Sequence, residues 1–173
     1  RASFVGRLPA VIGRGEVEIP VRGTSVSRRH AEIALAPHGL VIRDLDSRNG
    51  TLVRGLAISS ALELSGATEV GLGDDVSLAI TPSPDSLVID VRGGFDRGER
   101  FVLGEGALRM EALAATVTFD SGWGVLAADA GVSFELEGQK CALPVHLLVG
   151  DRLLVGGVAV EVLQVGSGAR RDR

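Results

Sequence analysis

The sequence has few aromatic residues and a single cysteine. Phe and Trp make up 3% of the 173 residues and Tyr is absent, so core volume has to come from Val, Leu, Ile and Ala. Cys141 excludes a disulfide within the chain, and its apolar neighbours predict a buried, inert thiol. No stretch approaches the roughly 20 apolar residues that span a bilayer, and no signal peptide is visible. We therefore expect a cytoplasmic protein that does not insert into membranes.

Basic charge is not in excess. The formal net charge is −4; residues 1–82 balance nine arginines against nine acidic residues, so residues 83–173 carry all of the net charge. Nonspecific binding to nucleic acid needs a broad basic face, so we expect no nucleic-acid partner. A local arginine cluster can still hold one phosphate group. Lys140 is the one basic residue that is not an arginine, which favours a GC-rich bacterial genome.

Glycine and short apolar segments are abundant. The chain has 24 Gly and 45% apolar residues, and turn residues separate the apolar segments at the spacing of an antiparallel β-sandwich. We predict an all-β protein with strands at 11–12, 17–21, 31–35, 40–44, 51–53, 61–64, 69–72, 76–80, 86–91, 100–104, 116–119, 125–128, 132–136, 147–149, 152–155 and 158–165.

Three polar motifs follow or precede predicted strands in the first half. They are Gly13-Arg14, then Ser27-Arg28-Arg29-His30, then Ser47-Arg48-Asn49-Gly50-Thr51. A phosphate dianion needs donors in fixed geometry, and guanidinium groups, a hydroxyl and an amide can supply them. Polar loops on a rigid sheet are a common way to build such a site.

The three motifs resemble the signature of the forkhead-associated domain, which is Gly-Arg, Ser-x-x-His and Asn-Gly on three successive loops of a β-sandwich. The resemblance implies binding of a threonine-phosphorylated protein or peptide, without a cofactor. It implies contacts to the phosphopeptide from Arg14, Ser27, Arg28, Arg48 and Asn49, with structural support from Gly13, His30, Gly50 and Thr51. Asn49 is expected to hold the backbone after the phosphothreonine, whereas Arg29 is expected to be solvated. In some family members a basic residue reads an acidic side chain three positions further on; Ser25 stands at that place, so the peptide preference stays open.

The second half is expected to repeat the fold of the first. Two prolines at 81–85 are expected to break the ladder, which gives domains at 1–82 and 86–165 and a flexible tail or linker at 166–173. Segments 12–15, 39–44 and 72–76 are matched by 103–106, 124–129 and 149–153, so two tandem sandwiches of the forkhead-associated type are predicted. In this alignment Glu105 replaces Arg14 and would repel phosphate. We also expect the first strand, near Phe4, to be truncated or supplied by another segment.

Three other interpretations have less support from the sequence. Ser27 and His30, with Asp44 as a third member, could form a hydrolase triad, but no Gly-x-Ser-x-Gly elbow surrounds the serine. His38 and His146 have no metal-ligand partners at useful spacing, so no metal site is predicted. We therefore expect that the chain is not an enzyme. We expect it to be a regulatory or adaptor region of a larger bacterial protein. The alternative is a structural assembly module of a secretion-type machine, in which phosphate binding is no longer needed.

Overall fold

The computed structural model of the chain describes residues 2–5, 8–83, 86–104, 107–120 and 123–162. The chain forms two compact units, unit 1 at residues 1–104 and unit 2 at residues 105–173. Within the described ranges, no helix is long and apolar enough to cross a membrane. The predicted tail at 166–173 and Glu105 lie outside the described residues.

Unit 1 consists of short strands, as its alternating apolar residues predict. The strands are β1 (Ala2–Val5), β2 (Ala10–Gly13), β3 (Ile19–Pro20), β4 (Ala31–Ala36), β5 (Gly39–Asp44), β6 (Thr51–Val53), β7 (Leu56–Ala57), β8 (Leu62–Glu63), β9 (Thr68–Leu72), β10 (Val76–Ser83), β11 (Ser86–Val91) and β12 (Arg100–Leu103).

Two sheets of unit 1 enclose one core. The first has the order β3-β2-β4-β5-β8 and the second β1-β12-β11-β10-β9-β6-β7. All pairs are antiparallel except β2 with β3 and β1 with β12. Buried residues from both sheets, such as Ile33 and Ile80, belong to the same apolar cluster. The all-β prediction is confirmed, and the strand next to β10 comes from residues 86–91 instead of from the segment near Phe4.

The predicted break of the ladder at 81–85 is wrong, because β10 continues to Ser83 and pairs with β11 as a hairpin. Pro82 lies opposite Leu87, at a non-hydrogen-bonded position of this ladder, so its nitrogen points away from β11. On the other side β9 ends opposite Ile80, and no ladder bond is lost there. The boundary between the compact units accordingly follows Gly104 and not the prolines.

Unit 2 is also built from short strands. They are β13 (Ala107–Met110), β14 (Ala115–Asp120), β15 (Trp123–Ala128), β16 (Phe134–Leu136), β17 (Gln139–Lys140), β18 (Val145–Leu147), β19 (Arg152–Val155) and β20 (Val158–Glu161), with a short 3₁₀ helix at Glu111–Leu113. The sheet orders are β13-β14-β15-β18 and β17-β16-β19-β20. Residues of both sheets share one apolar cluster.

The strand order of unit 2 repeats that of unit 1. β13-β14-β15-β18 follows the same path as β2-β4-β5-β8, and β17-β16-β19-β20 the same path as β7-β6-β9-β10. The strand registers agree as well: Ile12 pairs with Ala31 as Met110 pairs with Ala115. Each strand of unit 2 can therefore be assigned a counterpart in unit 1, residue by residue.

This register corrects the alignment expected from the sequence. Met110 corresponds to Ile12, so Ala112, two residues further on, corresponds to Arg14. Glu105 is therefore not the counterpart of that arginine. The segment at 149–153 comprises the turn before β19 and the first two residues of β19. It does not correspond to the turn after β9, whose counterpart is Gly156-Gly157. Both 72–76 and 149–153 contain Gly-Asp, but this match does not show equivalence, because Gly-Asp turns follow many strands.

Cys141 is exposed, so the prediction of a buried thiol is wrong. It directly follows β17, a two-residue strand at the edge of its sheet, and its Sγ lies 3.3 Å from the Gln139 carbonyl oxygen. The apolar residues beside it in sequence do not cover this edge.

Candidate functional site

Four loops meet at one end of unit 1. They are residues 14–18 after β2, 21–30 after β3, 45–50 after β5 and 73–75 after β9. Backbone and side-chain hydrogen bonds join each loop to at least one of the others. All of the phosphopeptide-binding residues expected from the sequence lie on the first three loops, so the fold brings Arg14, Ser27, Arg28, Arg48 and Asn49 to the same end.

Gly13 allows the first two loops to run side by side. The Arg14 amide donates to the Ser27 carbonyl at 3.0 Å, and the Gly15 amide donates to the Arg28 carbonyl at 3.1 Å. A Cβ on Gly13 would lie 2.2 Å from the Arg28 carbonyl oxygen, closer than any side chain can approach. Only glycine therefore permits this pairing, which sets Arg14 beside the loop of Ser27 and Arg28.

His30 is fully buried and ties the second loop to the third. The Ser27 amide donates to Nδ1 of His30 at 3.1 Å, and Nε2 lies 3.0 Å from the Gly50 carbonyl oxygen. Because Nδ1 accepts a hydrogen bond, this network assigns the ring proton to Nε2, which donates to Gly50. The imidazole thus positions both loops from below, as the family resemblance implies.

Asp44 organises the turn that carries Arg48 and Asn49. Its carboxylate accepts hydrogen bonds from the Ser47 hydroxyl at 2.6 Å, the Ser47 amide at 2.8 Å and the Thr51 hydroxyl at 2.5 Å. Burial raises the pKa of Asp44, but the bonds from Ser47 and Thr51 outweigh it and hold the pKa below its usual value. The Ser47 hydroxyl in turn accepts the Gly50 amide at 2.9 Å. The carboxylate therefore stays ionised and keeps the turn closed.

The groups that could bind an anion remain available. Arg14, Arg28 and Arg48 are exposed, and their guanidinium groups form no ion pair with any residue in the described ranges. The Ser27 hydroxyl oxygen accepts the Arg48 amide at 3.0 Å, which leaves its own proton free to be donated. Asn49 donates one hydrogen bond through Nδ2 to the Ser25 carbonyl at 2.8 Å, which leaves its side-chain oxygen and second N–H available to a ligand.

Sequence reasoning missed Asp75, which anchors the loop before Ser27. Its carboxylate accepts hydrogen bonds from the Thr24 amide at 2.7 Å, the Thr24 hydroxyl at 2.9 Å and the Ser25 hydroxyl. The bond from Ser25 is the main reason why the pKa of Asp75 falls to about 2. Gly73, in the same turn, packs against Ser25 and Asn49 so closely that a Cβ would lie 2.5 Å from the Ser25 side chain. A signal was present in the sequence, since Gly-Asp-Asp is a turn, but nothing there indicates which loop it meets.

The loop between β11 and β12 also reaches this end of unit 1. The Asp96 carboxylate accepts the Arg22 amide at 2.5 Å and the Arg22 Nε at 2.7 Å. Burial raises the pKa of Asp96, but the hydrogen bonds and charge of Arg22 outweigh it and lower the pKa. Sequence analysis assigned these two residues to different domains, so it could not pair them.

The geometry does not form a hydrolase triad. The hydrogen bond between Ser27 and His30 uses the serine amide and not its hydroxyl, and the other ring nitrogen is bonded to Gly50. Asp44 Oδ1 lies 4.0 Å from Nε2, on the side of the ring away from Ser27. No ring nitrogen is therefore placed to take the Ser27 hydroxyl proton. Among the described residues there is also no cluster of His, Cys, Asp and Glu that could hold a metal ion.

Comparisons with known proteins identify the family of this region. Residues 10–73 match the family model described as FHA domain, and this segment holds every predicted binding residue. A search of curated proteins finds no significant match.

Several solved structures are similar in sequence to part of the chain. A structure from an analysis of phosphothreonine-dependent FHA domain interactions is 33% identical, with 39% of this chain and 71% of that chain covered and a TM-score of 0.36. The FHA domain of CT664 from Chlamydia trachomatis is 32% identical, with 40% and 70% covered and a TM-score of 0.36. EmbR from Mycobacterium tuberculosis, in complex with a low-affinity phosphopeptide, is 35% identical, with 37% and 17% covered and a TM-score of 0.35. From the match at residues 10–73 and the identity to single FHA domains, the chain belongs to the FHA domain family.

Proposed function

We propose that unit 1 binds a phosphothreonine-containing segment of a partner protein, with Arg14, Ser27 and Arg28 at the phosphate. Asn49 would hold the peptide backbone after the phosphothreonine, and Arg48 would flank the site. The observation that carries the proposal is that these donors share one end of the unit while their guanidinium groups have no partner in the described ranges. Arginine clusters of this kind read phosphorylated motifs in other proteins of the family.

The hydrogen-bonded framework around the site supports the same proposal. His30, Asp44 and Asp75 fix the loops at 21–30 and 45–50 by hydrogen bonds, and the amides of Arg14 and Gly15 join the loop at 14–18 to them. The loops that carry the donors are therefore held in place before a ligand arrives. Preorganised loops lower the entropic cost of binding. Similar proteins point the same way, since EmbR is described in complex with a phosphopeptide.

Calorimetry with matched peptides tests this function. We expect a phosphothreonine peptide from a degenerate library to bind with a Kd in the micromolar range, about −8 kcal/mol, and its phosphoserine and unphosphorylated forms to bind much more weakly. Arg14→Ala should cost about 1.5 to 3 kcal/mol of binding free energy, because a charge-assisted hydrogen bond to phosphate is lost.

Arg54→Ala is the matched control. Arg54 is an exposed arginine on the turn between β6 and β7, at the opposite end of β6 from Gly50, so its removal should leave the affinity unchanged. If no member of the library binds at millimolar concentrations, or if both variants bind as wild type does, the proposed site is wrong.

We infer that unit 2 is a degenerate copy of the FHA fold that does not bind phosphate. By strand register, the residues of unit 2 that correspond to Arg14, His30 and Asn49 of unit 1 are Ala112, Ala114 and Val132, in that order. Only residues 111–114 separate β13 from β14, where unit 1 has the long segment that carries the first two motifs.

A unit 1 that binds a phosphopeptide, together with a unit 2 that does not, fits a regulatory or adaptor region of a larger bacterial protein in the cytoplasm. In such a region, FHA units bind partners and catalyse no reaction. The alternative is a module that helps to assemble a secretion-type machine without binding phosphate, and the degenerate unit 2 is the observation that favours it. Loss of in-cell partner binding on Arg14→Ala would favour the adaptor, and its retention the assembly module.

A further inference from the structure

Phe95 is a large apolar side chain that lies mostly in solvent. It is 72% exposed, whereas Phe101 and Phe134 are buried in the cores of their units. Aromatic side chains are enriched in protein interfaces, because they bring a large apolar area and lose little rotamer freedom when they are covered. We therefore asked what a partner of unit 1 would place against this ring.

The loop that carries Phe95 is held in place by hydrogen bonds. It joins β11 to β12 and comprises residues 92–99. Its first two amides donate to the Ser77 carbonyl at 2.8 and 3.1 Å. Asp96, next to the exposed ring, accepts the Arg22 amide and the Arg22 Nε. The ring is thus presented from a fixed backbone, which lowers the entropic cost of a contact.

The loop at 21–30 connects Phe95 to the phosphate end of the site. Its residues are bonded in turn to different neighbours: Arg22 to Asp96, Ser25 to Asp75 and Asn49, and Ser27 to Arg14 and Arg48. Along this loop from Ser27 to Arg22, the contact with Asn49 comes before the contact with Asp96. Phe95 therefore lies beyond Asn49, on the side where the proposed ligand continues after its phosphothreonine.

The contacts between Asn49 and Phe95 give the distance along a ligand. Asn49 is bonded to Ser25 and Ser25 to Asp75, and a Cβ at Gly94 would lie 3.1 Å from the Asp75 carbonyl oxygen. Three such contacts in line span about 14 Å, if each resembles the spacing of neighbouring strands. An extended peptide advances about 3.3 Å per residue, so it covers this distance in about four residues.

The residue that reaches the ring therefore stands at about position five after the phosphothreonine, because Asn49 holds the backbone at position one. The length of the Phe95 side chain allows one residue to either side. The loop itself sets an upper limit: Arg22 is five residues from Ser27 in sequence and at most about 18 Å away. An extended ligand covers that distance in about six residues.

We propose that Phe95 is a specificity-determining residue, which contacts an apolar side chain of the phosphorylated partner about four to six positions after the phosphothreonine. The inference rests on the proposed function of unit 1 and names its ligand class, a phosphothreonine segment with an aliphatic or aromatic residue on this side. Covering the ring with such a side chain removes apolar surface from water. A polar side chain at the same place would lose its hydration without a hydrogen bond in return.

Selection from a phosphothreonine peptide library tests this preference. The library is degenerate at about seven positions after the phosphothreonine, beyond the reach of Phe95, and is bound to the full chain as wild type, Phe95→Ala and Leu56→Ala. Leu56 is the matched control, because it is 75% exposed but follows the turn at the opposite end of β6 from Gly50. We expect wild type and Leu56→Ala to enrich apolar residues about threefold or more at one of positions four to six, and Phe95→Ala to lose this enrichment.

Calorimetry with two peptides from the selection isolates the contact. One peptide carries the enriched apolar residue, and the other ends after the third position beyond the phosphothreonine. Phe95→Ala should weaken the long peptide about tenfold, as truncation of an aromatic interface residue commonly does. It should bind the truncated peptide as wild type does, because that peptide does not reach the ring.

The outcomes separate this inference from the proposed function. If wild type binds phosphothreonine peptides without apolar enrichment at positions four to six, or if Phe95→Ala binds the long peptide as wild type does, Phe95 has no role in specificity and the proposed function stands. Equal weakening of both peptides by Phe95→Ala also overturns the inference, because the ring then acts on the phosphate loops. If no library member binds the wild type, the proposed function and the inference fail together.

Discussion

Replacing His30 should destabilise unit 1 while the rest of the site stays chemically intact. In His30→Ala the Ser27 amide, which is partly buried, loses the acceptor that it has among the described residues, at a cost of about 1 kcal/mol or more. Gly50 loses one of two donors to its carbonyl, since the Gly73 amide remains at 3.0 Å. The cavity left by the fully buried ring adds about 2 kcal/mol or more. The total, about 3 to 5 kcal/mol, is a large fraction of the stability of a small domain.

The assay has to follow unit 1 separately, because two units can unfold in two transitions. The only tryptophan, Trp123, belongs to unit 2, so fluorescence gives no signal from within unit 1 itself. Hydrogen-exchange mass spectrometry of peptides from residues 10–73, measured with increasing urea, gives the free energy of unfolding for the relevant region.

Two further variants isolate the cause. His30→Leu refills most of the cavity but makes no hydrogen bond, so it should recover part of the loss and remain less stable than wild type. His38→Ala changes an exposed histidine and should stay within about 0.5 kcal/mol of wild type. A loss below about 1 kcal/mol in His30→Ala, or a His30→Leu variant as stable as wild type, would refute the bridging role of the imidazole.

Two other predictions follow from the loops. The pKa of Asp75 is about 2 in the folded state against 3.8 ordinarily, so its contribution to stability is complete above about pH 5 and is lost as the pH falls through about 4 to 2. The difference in unfolding free energy between wild type and Asp75→Asn should shrink over that interval; a pH-independent difference would contradict the assignment. Gly13→Ala should displace the loop of Arg28, lower stability by about 1 to 3 kcal/mol and abolish phosphopeptide binding in calorimetry. Gly66→Ala, where a Cβ meets open space, is its control and should bind as wild type does.

Local patterns predicted several strands well, whereas the binding role of the site residues stays a prediction. The bounds of β6 and β11 agree with the prediction, since each is an apolar run bounded by turn residues. The five expected binding residues share one end of unit 1 because each motif stands in a loop after or before a core strand.

Long-range partners were less accessible from the sequence. Proline lacks a backbone donor, so the sequence predicts a break at Pro82. Whether that donor is needed depends on the side of the strand on which a neighbouring strand lies. Asp75 and Asp96 both bind the loop at 21–30, from which they are far apart in sequence. A carboxylate in a turn does not indicate which distant residue it contacts. The prediction that Cys141 is buried is wrong for a similar reason, because its burial depends on whether another strand covers it and not on the residues next to it in sequence.

The Gly50 carbonyl oxygen accepts from both His30 and Gly73, so a single atom joins three loops of the site. With both of its lone pairs in use, moving any one of these loops away breaks a hydrogen bond at this atom. If unit 1 binds a phosphopeptide as we propose, we expect capture without loop opening, so that a change of peptide sequence acts on how long the complex lasts more than on how fast it forms. Residence time, read from dissociation rates across a peptide series, becomes the quantity by which this module ranks its partners.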